Sequence, residues 1–175
     1  MSVSDLVLEL SDTIPDFPKP GIVFRDLTPV FADADAFRAV IDDLASRFAG
    51  RFDAVAGVEA RGFLLAAGLA YAARVPLAAV RKAGKLPGAV LSEEYALEYG
   101  TATLEIRPGQ LEPGARVLVV DDVLATGGSC SAAARLVERC GYSVAGMGLV
   151  LELQGLGGRE RLSAYDLYAI VADPA

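Results

Sequence analysis

Two adjacent carboxylates, Asp121 and Asp122, are followed after Val123 and Leu124 by a run of small and hydroxyl residues, Ala125-Thr126-Gly127-Gly128-Ser129. An ionised carboxylate only accepts hydrogen bonds, so the pair is unsuited to an anion and suited to sugar hydroxyls, or to a metal ion bound to them. The run has the opposite character. Its backbone N–H groups, with the Thr126 and Ser129 hydroxyls, can donate to a phosphate, and Gly127 and Gly128 let the chain turn tightly and approach closely. One stretch thus offers acceptors for hydroxyls and donors for a phosphate, the two ends of a ribose phosphate. The Walker pattern and the dinucleotide-binding fingerprint are both absent.

The elements that must position this stretch are legible around it. Val117 to Val120 has the length and β-branching of a buried strand, and the Ala-rich segment from Ser129 to Cys140 reads as a helix ending at Gly141. A strand end followed by a helix start opens a crevice with unpaired N–H groups at its floor. Further strands are expected at Ala54 to Val58, Leu77 to Val80, Ala102 to Ile106, Val144 to Leu151 and Leu167 to Val171, and a helix at Gly62 to Ala73. Strands joined by helices imply an α/β fold built on a right-handed, mostly parallel sheet. Ahead of them, Val3, Leu6, Val7, Leu10 and Ile14 recur at helical spacing behind a Ser2–Asp5 capping pair, with the helix ending before Pro15. Pro15 to Gly21 reads as an ordered loop, Ile22 to Leu27 as a short extended piece, and Asp35 to Phe48 as a second helix.

The chain has 175 residues, of which 53% are hydrophobic, enough for one domain with a sizeable core. Its net charge of −7 argues against general nucleic-acid binding. Between Ala54 and Leu91, however, Arg61, Arg74, Arg81, Lys82 and Lys85 face a single acid, Glu59, and such a basic segment suits a small polyanion. There is no histidine, which leaves carboxylates for proton transfer. The longest apolar run, Phe63 to Ala73, is far shorter than the ~20 residues that span a bilayer, and the acidic N-terminus shows no signal peptide. The two cysteines fall ten positions apart on one expected helix, too far to pair. The expectation is a reduced, cytoplasmic enzyme-sized domain without membrane or nucleic-acid partners.

The Val-Val-Asp-Asp-Val-Leu-Ala-Thr-Gly-Gly-Ser stretch resembles the ribose-phosphate motif of the type I phosphoribosyltransferase family. Phe17 to Asp26 (FPKPGIVFRD), Glu59 to Phe63 (EARGF), Arg81 to Gly88 (RKAGKLPG), Tyr95 to Gly100 (YALEYG) and Leu151 to Leu153 (LEL) extend the resemblance over nearly the whole chain, toward the adenine-specific branch. The resemblance implies transfer of a phosphoribosyl group from phosphoribosyl pyrophosphate to adenine, with Mg2+ held mainly by substrate and water and with no direct protein ligand. It implies that Asp121 and Asp122 contact the ribose hydroxyls and that Ala125, Thr126, Gly127, Gly128 and Ser129 hold the 5′-phosphate. It gives the pyrophosphate to Arg61, Arg81, Lys82 and Lys85, partly across a homodimer interface. It makes Phe24 and Leu153 the two walls around adenine, with backbone groups of Val23 and Arg25 reading the ring edge. Glu98 becomes the catalytic candidate, managing the purine ring proton.

The same resemblance divides the single domain, residues 1–175, into a base-binding hood over about 1–32, a catalytic body, and a mobile lid over about 91–100 whose mixed composition lacks clear periodicity. Two other readings compete with this one. A non-catalytic regulator sensing phosphoribosyl pyrophosphate would need an appended DNA-binding domain or a basic RNA face, and neither is visible. A 6-oxopurine phosphoribosyltransferase is disfavoured by the Phe-Arg-Asp segment and by the neighbourhood of Leu151 to Leu153.

Overall fold

Fully apolar Ala54–Val58 and the nine-residue Arg116–Leu124 lie side by side as parallel neighbours at the centre of a seven-stranded sheet. The computed structural model describes residues 1–17, 20–21, 23–97 and 100–174. In chain order its elements are α1 (Val3–Leu10), β1 (Asp12–Pro15), β2 (Val23–Asp26), α2 (Thr28–Ala32), α3 (Ala34–Arg47), β3 (Ala54–Val58) and α4 (Gly62–Ala73), followed by β4 (Leu77–Lys82), β5 (Leu91–Ala96), β6 (Thr101–Ile106), β7 (Arg116–Leu124), α5 (Gly128–Arg139), β8 (Ser143–Gln154), α6 (Gly158–Arg161) and β9 (Leu167–Pro174).

The sheet order is β5-β6-β4-β3-β7-β8-β9. The run from β4 to β9 is parallel, while β6 and β5 add an antiparallel margin. Because side chains alternate along a strand, each central strand feeds two cores. Val117 and Val119 of β7 face the cluster under α5, while Leu118 and Val120 face the cluster under α1, α3 and α4. From β3 the chain moves outward to β4, and β7 is laid on the other side of β3. The carboxyl ends of β3 and β7 therefore flank a topological switch point, where ligands of open α/β sheets bind.

Local signals account for several boundaries. Ser2 and Asp5 form a reciprocal capping box at α1. Asp33 caps α3 by accepting from the Asp35 and Ala36 N–H groups. At the end of α5, Gly141 takes a left-handed conformation while its N–H donates to Glu138 and that of Tyr142 to Val137, a Schellman closure.

The structure corrects the sequence expectations at four places. Helix α1 stops at Leu10, and Ile14 instead lies on β1, which pairs antiparallel with β2 as a separate two-stranded sheet. Ile14 keeps the helical spacing, but the β-branched pair Thr13-Ile14 is claimed by the partner strand β2. The five-residue α2, opened by Pro29 in its first turn, had no periodicity long enough to be seen. Leu91–Ala96 of the expected lid is a regular strand, β5, paired with β6 over its whole length. Finally, β7 runs on through Leu124, so Asp121 and Asp122 lie on the strand itself rather than in the turn after it.

Candidate active site

At the switch point β3 ends at Val58, Glu59, Ala60 and Arg61 form the connection, and α4 begins at Gly62. A Cβ on Gly62 would stand 2.8 Å from the Val120 carbonyl oxygen and 3.0 Å from Asp121 Oδ1, so only glycine lets the start of α4 lie against the end of β7. That packing delivers Arg61 to the acidic pair. Its Nε lies 2.5 Å from Asp122 Oδ2, yet no N–H is aligned on that oxygen, which is buried without a hydrogen bond. Asp121 is also buried, and its Oδ1 accepts the Asp122 N–H at 2.9 Å. Burial, reinforced by the neighbouring Asp122 charge, pushes the Asp121 carboxyl well above the usual carboxylate range.

The following loop runs from Ala125 to Gly127, which adopts φ 77° and precedes α5. The first N–H groups of a helix have no intrahelical partner, and no side chain caps those of α5. Gly128 and Ser129 are the first two residues of that helix, so the run is half turn, half helix start. A Cβ on Gly128 would lie 3.0 Å from the Tyr95 ring and 3.3 Å from the Ala96 carbonyl. Strand β5 is thus seated on the phosphate-type loop. Glu93 fastens it there, receiving Arg135 at 2.5 Å and Arg139 at 2.8 Å, both on α5. Burial raises the Tyr95 phenol above its ordinary value, with Asp121 adding to the shift.

Strand β2 reaches the same place. Arg61 stands 5.7 Å above the Phe24 ring, within cation–π range, and Phe17 meets Phe24 edge-on at 5.2 Å. Asp26 is held as a carboxylate mainly by the Thr28 hydroxyl and N–H, with the Arg61 charge adding a smaller attraction. The Arg25 side chain turns away to Asp173 of β9, Nε to Oδ2 at 2.8 Å, and to Ser11. Asp173 is the ladder partner of Leu153 near the end of β8, so β2 and Leu153 are tied through one ion pair. Val23 is largely exposed at the start of β2.

The basic segment is organised by Glu59. Its carboxylate accepts the Lys82 N–H at 2.9 Å and lies 3.4 Å from Arg81 Nε, and these contacts keep it below the ordinary glutamate value. Arg81 also donates to the Lys85 carbonyl. The Lys82 and Lys85 side chains are exposed and make no ion pair among the described residues, and neither touches the acidic pair. Glu98 lies outside the described residues.

The residues that fold together are therefore Asp121, Asp122, Arg61, Phe24 and the Ala125–Ser129 loop, with Arg81 bound to Glu59 at the neighbouring strand end. Glu93 and Asp173 carried no sequence expectation, and Glu59 and Tyr95 stood only as members of the EARGF and YALEYG segments, without a role. For β5 a signal was present, because Leu91, Glu93 and Tyr95 alternate and are the three half-buried positions of the strand. Nothing in the sequence pointed to Asp173, which lies 148 positions from its partner.

Residues 31–170 match the family model of the phosphoribosyl transferase domain. An adenine phosphoribosyltransferase of Clavibacter michiganensis is 68% identical over 168 residues, covering 96% of this chain and 95% of that protein. The chain belongs to the adenine phosphoribosyltransferase family. Among solved structures, the adenine phosphoribosyltransferase of Thermoanaerobacter pseudethanolicus is 48% identical, with a TM-score of 0.92 over 97% of this chain and 99% of that one. The Saccharomyces cerevisiae enzyme, solved in complex with an imino-altritol bisphosphate and adenine, is 36% identical with a TM-score of 0.91, over 97% and 98% of the two chains. Among the described residues no helix is long and apolar enough to cross a membrane.

Proposed function

We infer that this chain is a purine-salvage transferase that moves the 5-phosphoribosyl group from phosphoribosyl pyrophosphate to N9 of adenine, giving AMP and pyrophosphate. The observation that carries the reading is the contact series Asp122–Arg61–Phe24, in which a sugar-type acceptor, an anion-binding cation and an aromatic platform meet at the switch point. The relatives' shared activity supports adenine as the base.

In this site Asp121 and Asp122 accept from the ribose hydroxyls, and the N–H groups and hydroxyls of Ala125 to Ser129 donate to the 5′-phosphate. Arg61 takes the pyrophosphate, with Arg81, Lys82 and Lys85 supplying charge around it. Phe24 stacks on the purine, Leu153 closes its other face, and Val23 and Arg25 present backbone groups to its edge. The bond from C1′ to the pyrophosphate oxygen breaks as the bond from N9 forms, and positive charge develops on the sugar between them. Positioning of the two reactants and the nearby carboxylate charge lower that barrier. Glu98 is the candidate to hold the proton that leaves N9.

The donor set fits Mg2+ bound through substrate. No group of three or more His, Cys, Asp or Glu among the described residues is placed to hold a metal ion, while Asp122 Oδ2 is a buried oxygen without a hydrogen-bond donor beside the expected ribose. Mg2+ commonly uses one or two carboxylates, waters and substrate phosphates rather than a protein cage. Bound in this way it would neutralise charge on the leaving pyrophosphate.

The reading includes one cytoplasmic domain with a hood at about 1–32 and a lid at about 91–100, acting as a homodimer without nucleic-acid or membrane partners. Support for pairing comes from α4, where Leu64 and Tyr71, seven residues apart on one helix stripe, are 52% and 88% exposed. The deciding experiment supplies phosphoribosyl pyrophosphate and Mg2+ with adenine or hypoxanthine. AMP formation far faster than IMP formation, and its loss with excess chelator, is expected. Equal rates, or none with adenine, would overturn the reading.

A further inference from the structure

The segment Gly157 to Leu162 packs behind the Ala125–Ser129 loop. The two meet backbone to backbone. A Cβ on Gly158 would stand 2.3 Å from the Ala125 carbonyl oxygen and 2.9 Å from two Leu124 side-chain carbons. A Cβ on Gly127 would stand 3.1 Å from the Gly158 carbonyl oxygen and 3.2 Å from its Cα. Glycine is thus required on both sides of the contact, and any side chain at Gly158 must displace Ala125.

The segment is itself fixed at two points. Leu162 is fully buried in the cluster under α5. Arg159 grips Glu152 through Nε, at 2.9 Å to Oε1 and 3.0 Å to Oε2, and through a second guanidinium nitrogen. Glu152 is only 4% exposed, is the ladder partner of Leu124 and immediately precedes Leu153. A buried carboxylate is a weak source of stability, because an apolar residue of similar size does as well, but a forked Arg–carboxylate pair fixes geometry. Here the geometry it fixes is the height of Gly158 under Ala125.

We propose that Gly157 to Leu162 is a strut that sets the position of the Ala125–Ser129 loop, with Gly158 and the Glu152–Arg159 pair as positioning residues for phosphoribosyl pyrophosphate. The proposal rests on the functional reading above for the identity of that ligand. A loop that grips phosphate through backbone N–H groups works only if it is held to within about 0.5 Å. The strut supplies that support from outside the ligand's reach.

The test compares the wild type with Gly158→Ala, Glu152→Gln, Arg159→Lys and the remote core variant Val40→Ala. Each is measured for melting temperature, for KM of both substrates, and for binding of Mg2+–phosphoribosyl pyrophosphate by calorimetry in the absence of adenine. Gly158→Ala should raise the Kd and KM for phosphoribosyl pyrophosphate about tenfold, equivalent to about 1.4 kcal/mol, with the adenine KM within twofold. Glu152→Gln and Arg159→Lys, neither of which keeps the charged two-nitrogen fork, should move the same constants in the same direction, and Val40→Ala should lower the melting temperature alone. If Gly158→Ala does not fold, Glu152→Gln decides. Unchanged phosphoribosyl pyrophosphate binding, or parallel loss for both substrates, would refute the strut. Absence of adenine turnover in the wild type would count against the functional reading instead, and calorimetry would still judge the strut.

Discussion

Arg61 and Asp122 face each other across the point where the sheet reverses its strand order, with Nε 2.5 Å from Oδ2. The two are proposed to serve opposite ends of one substrate, the pyrophosphate and the ribose hydroxyls. Their opposite charges lie side by side, and Asp122 Oδ2, buried with no donor aligned on it, can accept a hydroxyl. Arg61→Gln should therefore weaken phosphoribosyl pyrophosphate by removing the cation that meets its pyrophosphate. A charge-assisted hydrogen bond contributes about 1.5–3 kcal/mol, so its KM should rise roughly 10- to 150-fold. A KM within twofold of wild type would remove Arg61 from the site.

Asp121 provides a pH-dependent test. Its pKa is raised in the folded chain, first by burial and then by Asp122. The folded protein thus holds that proton more tightly than the unfolded chain does. Folding is favoured by the group at acid pH, and this contribution is lost as pH rises from the ordinary value of 3.8 through the raised one. Asparagine keeps an oxygen for the Asp122 N–H and removes the charge. The melting temperature of Asp121→Asn should match wild type near pH 4 and exceed it at neutral pH, by about 2–4 °C for each kcal/mol recovered. A gap that does not change with pH would contradict this account. The same variant should lose turnover, which separates its cost in function from its gain in stability.

How far the site was legible follows from the distance over which each signal acts. Strand β3 and helix α4 match their expected bounds to the residue, since an apolar run with clean punctuation is a local signal. Asp121, Asp122 and the Ala125–Ser129 loop were equally local, because acceptors and donors follow each other along one strand and turn. Glu93 was only half legible, since it alternates with Leu91 and Tyr95 but a charged residue on the inner side of β5 has a reason to be there only through its arginine partners on α5. Gly158 carried no signal at all, since what makes it necessary is the Ala125 carbonyl of a distant turn.

Arg25 reaches from β2 to Asp173 of β9. Its pair with Asp173 ties β2 to the strand next to Leu153, so it sets the width of the proposed adenine slot rather than touching the base. Both side chains are about one-fifth exposed. Pairs at least partly open to solvent typically contribute about 0.2–1 kcal/mol. Asp173→Asn should accordingly raise the adenine KM by roughly two- to fivefold and leave that for phosphoribosyl pyrophosphate unchanged. The discriminating measurement is the ratio of the two KM values across this variant and Phe24→Leu. If the ratio shifts for Phe24→Leu alone, the tie is only structural.

Glu93 makes the proposed lid salt-sensitive. It holds β5 on α5 through Arg135 and Arg139, whose side chains are 44% and 47% exposed, and β5 in turn places Tyr95 and Ala96 against Gly128. Exposed ion pairs weaken as the screening length falls from about 10 Å at 0.1 M salt to about 3 Å at 1 M. Raising ionic strength should loosen β5 in the wild type, and Glu93→Gln should produce the same loosening at low salt. In limited proteolysis at 0.1 M salt the variant should be cut faster within residues 91–100, with kcat reduced by about two- to fivefold, in line with two pairs of about 0.3–0.5 kcal/mol each. At 1 M salt the two proteins should converge in cleavage rate. If they differ equally at both salt concentrations, β5 is held by the packing of Tyr95 and not by charge, and the place to weaken the lid is Tyr95→Ala.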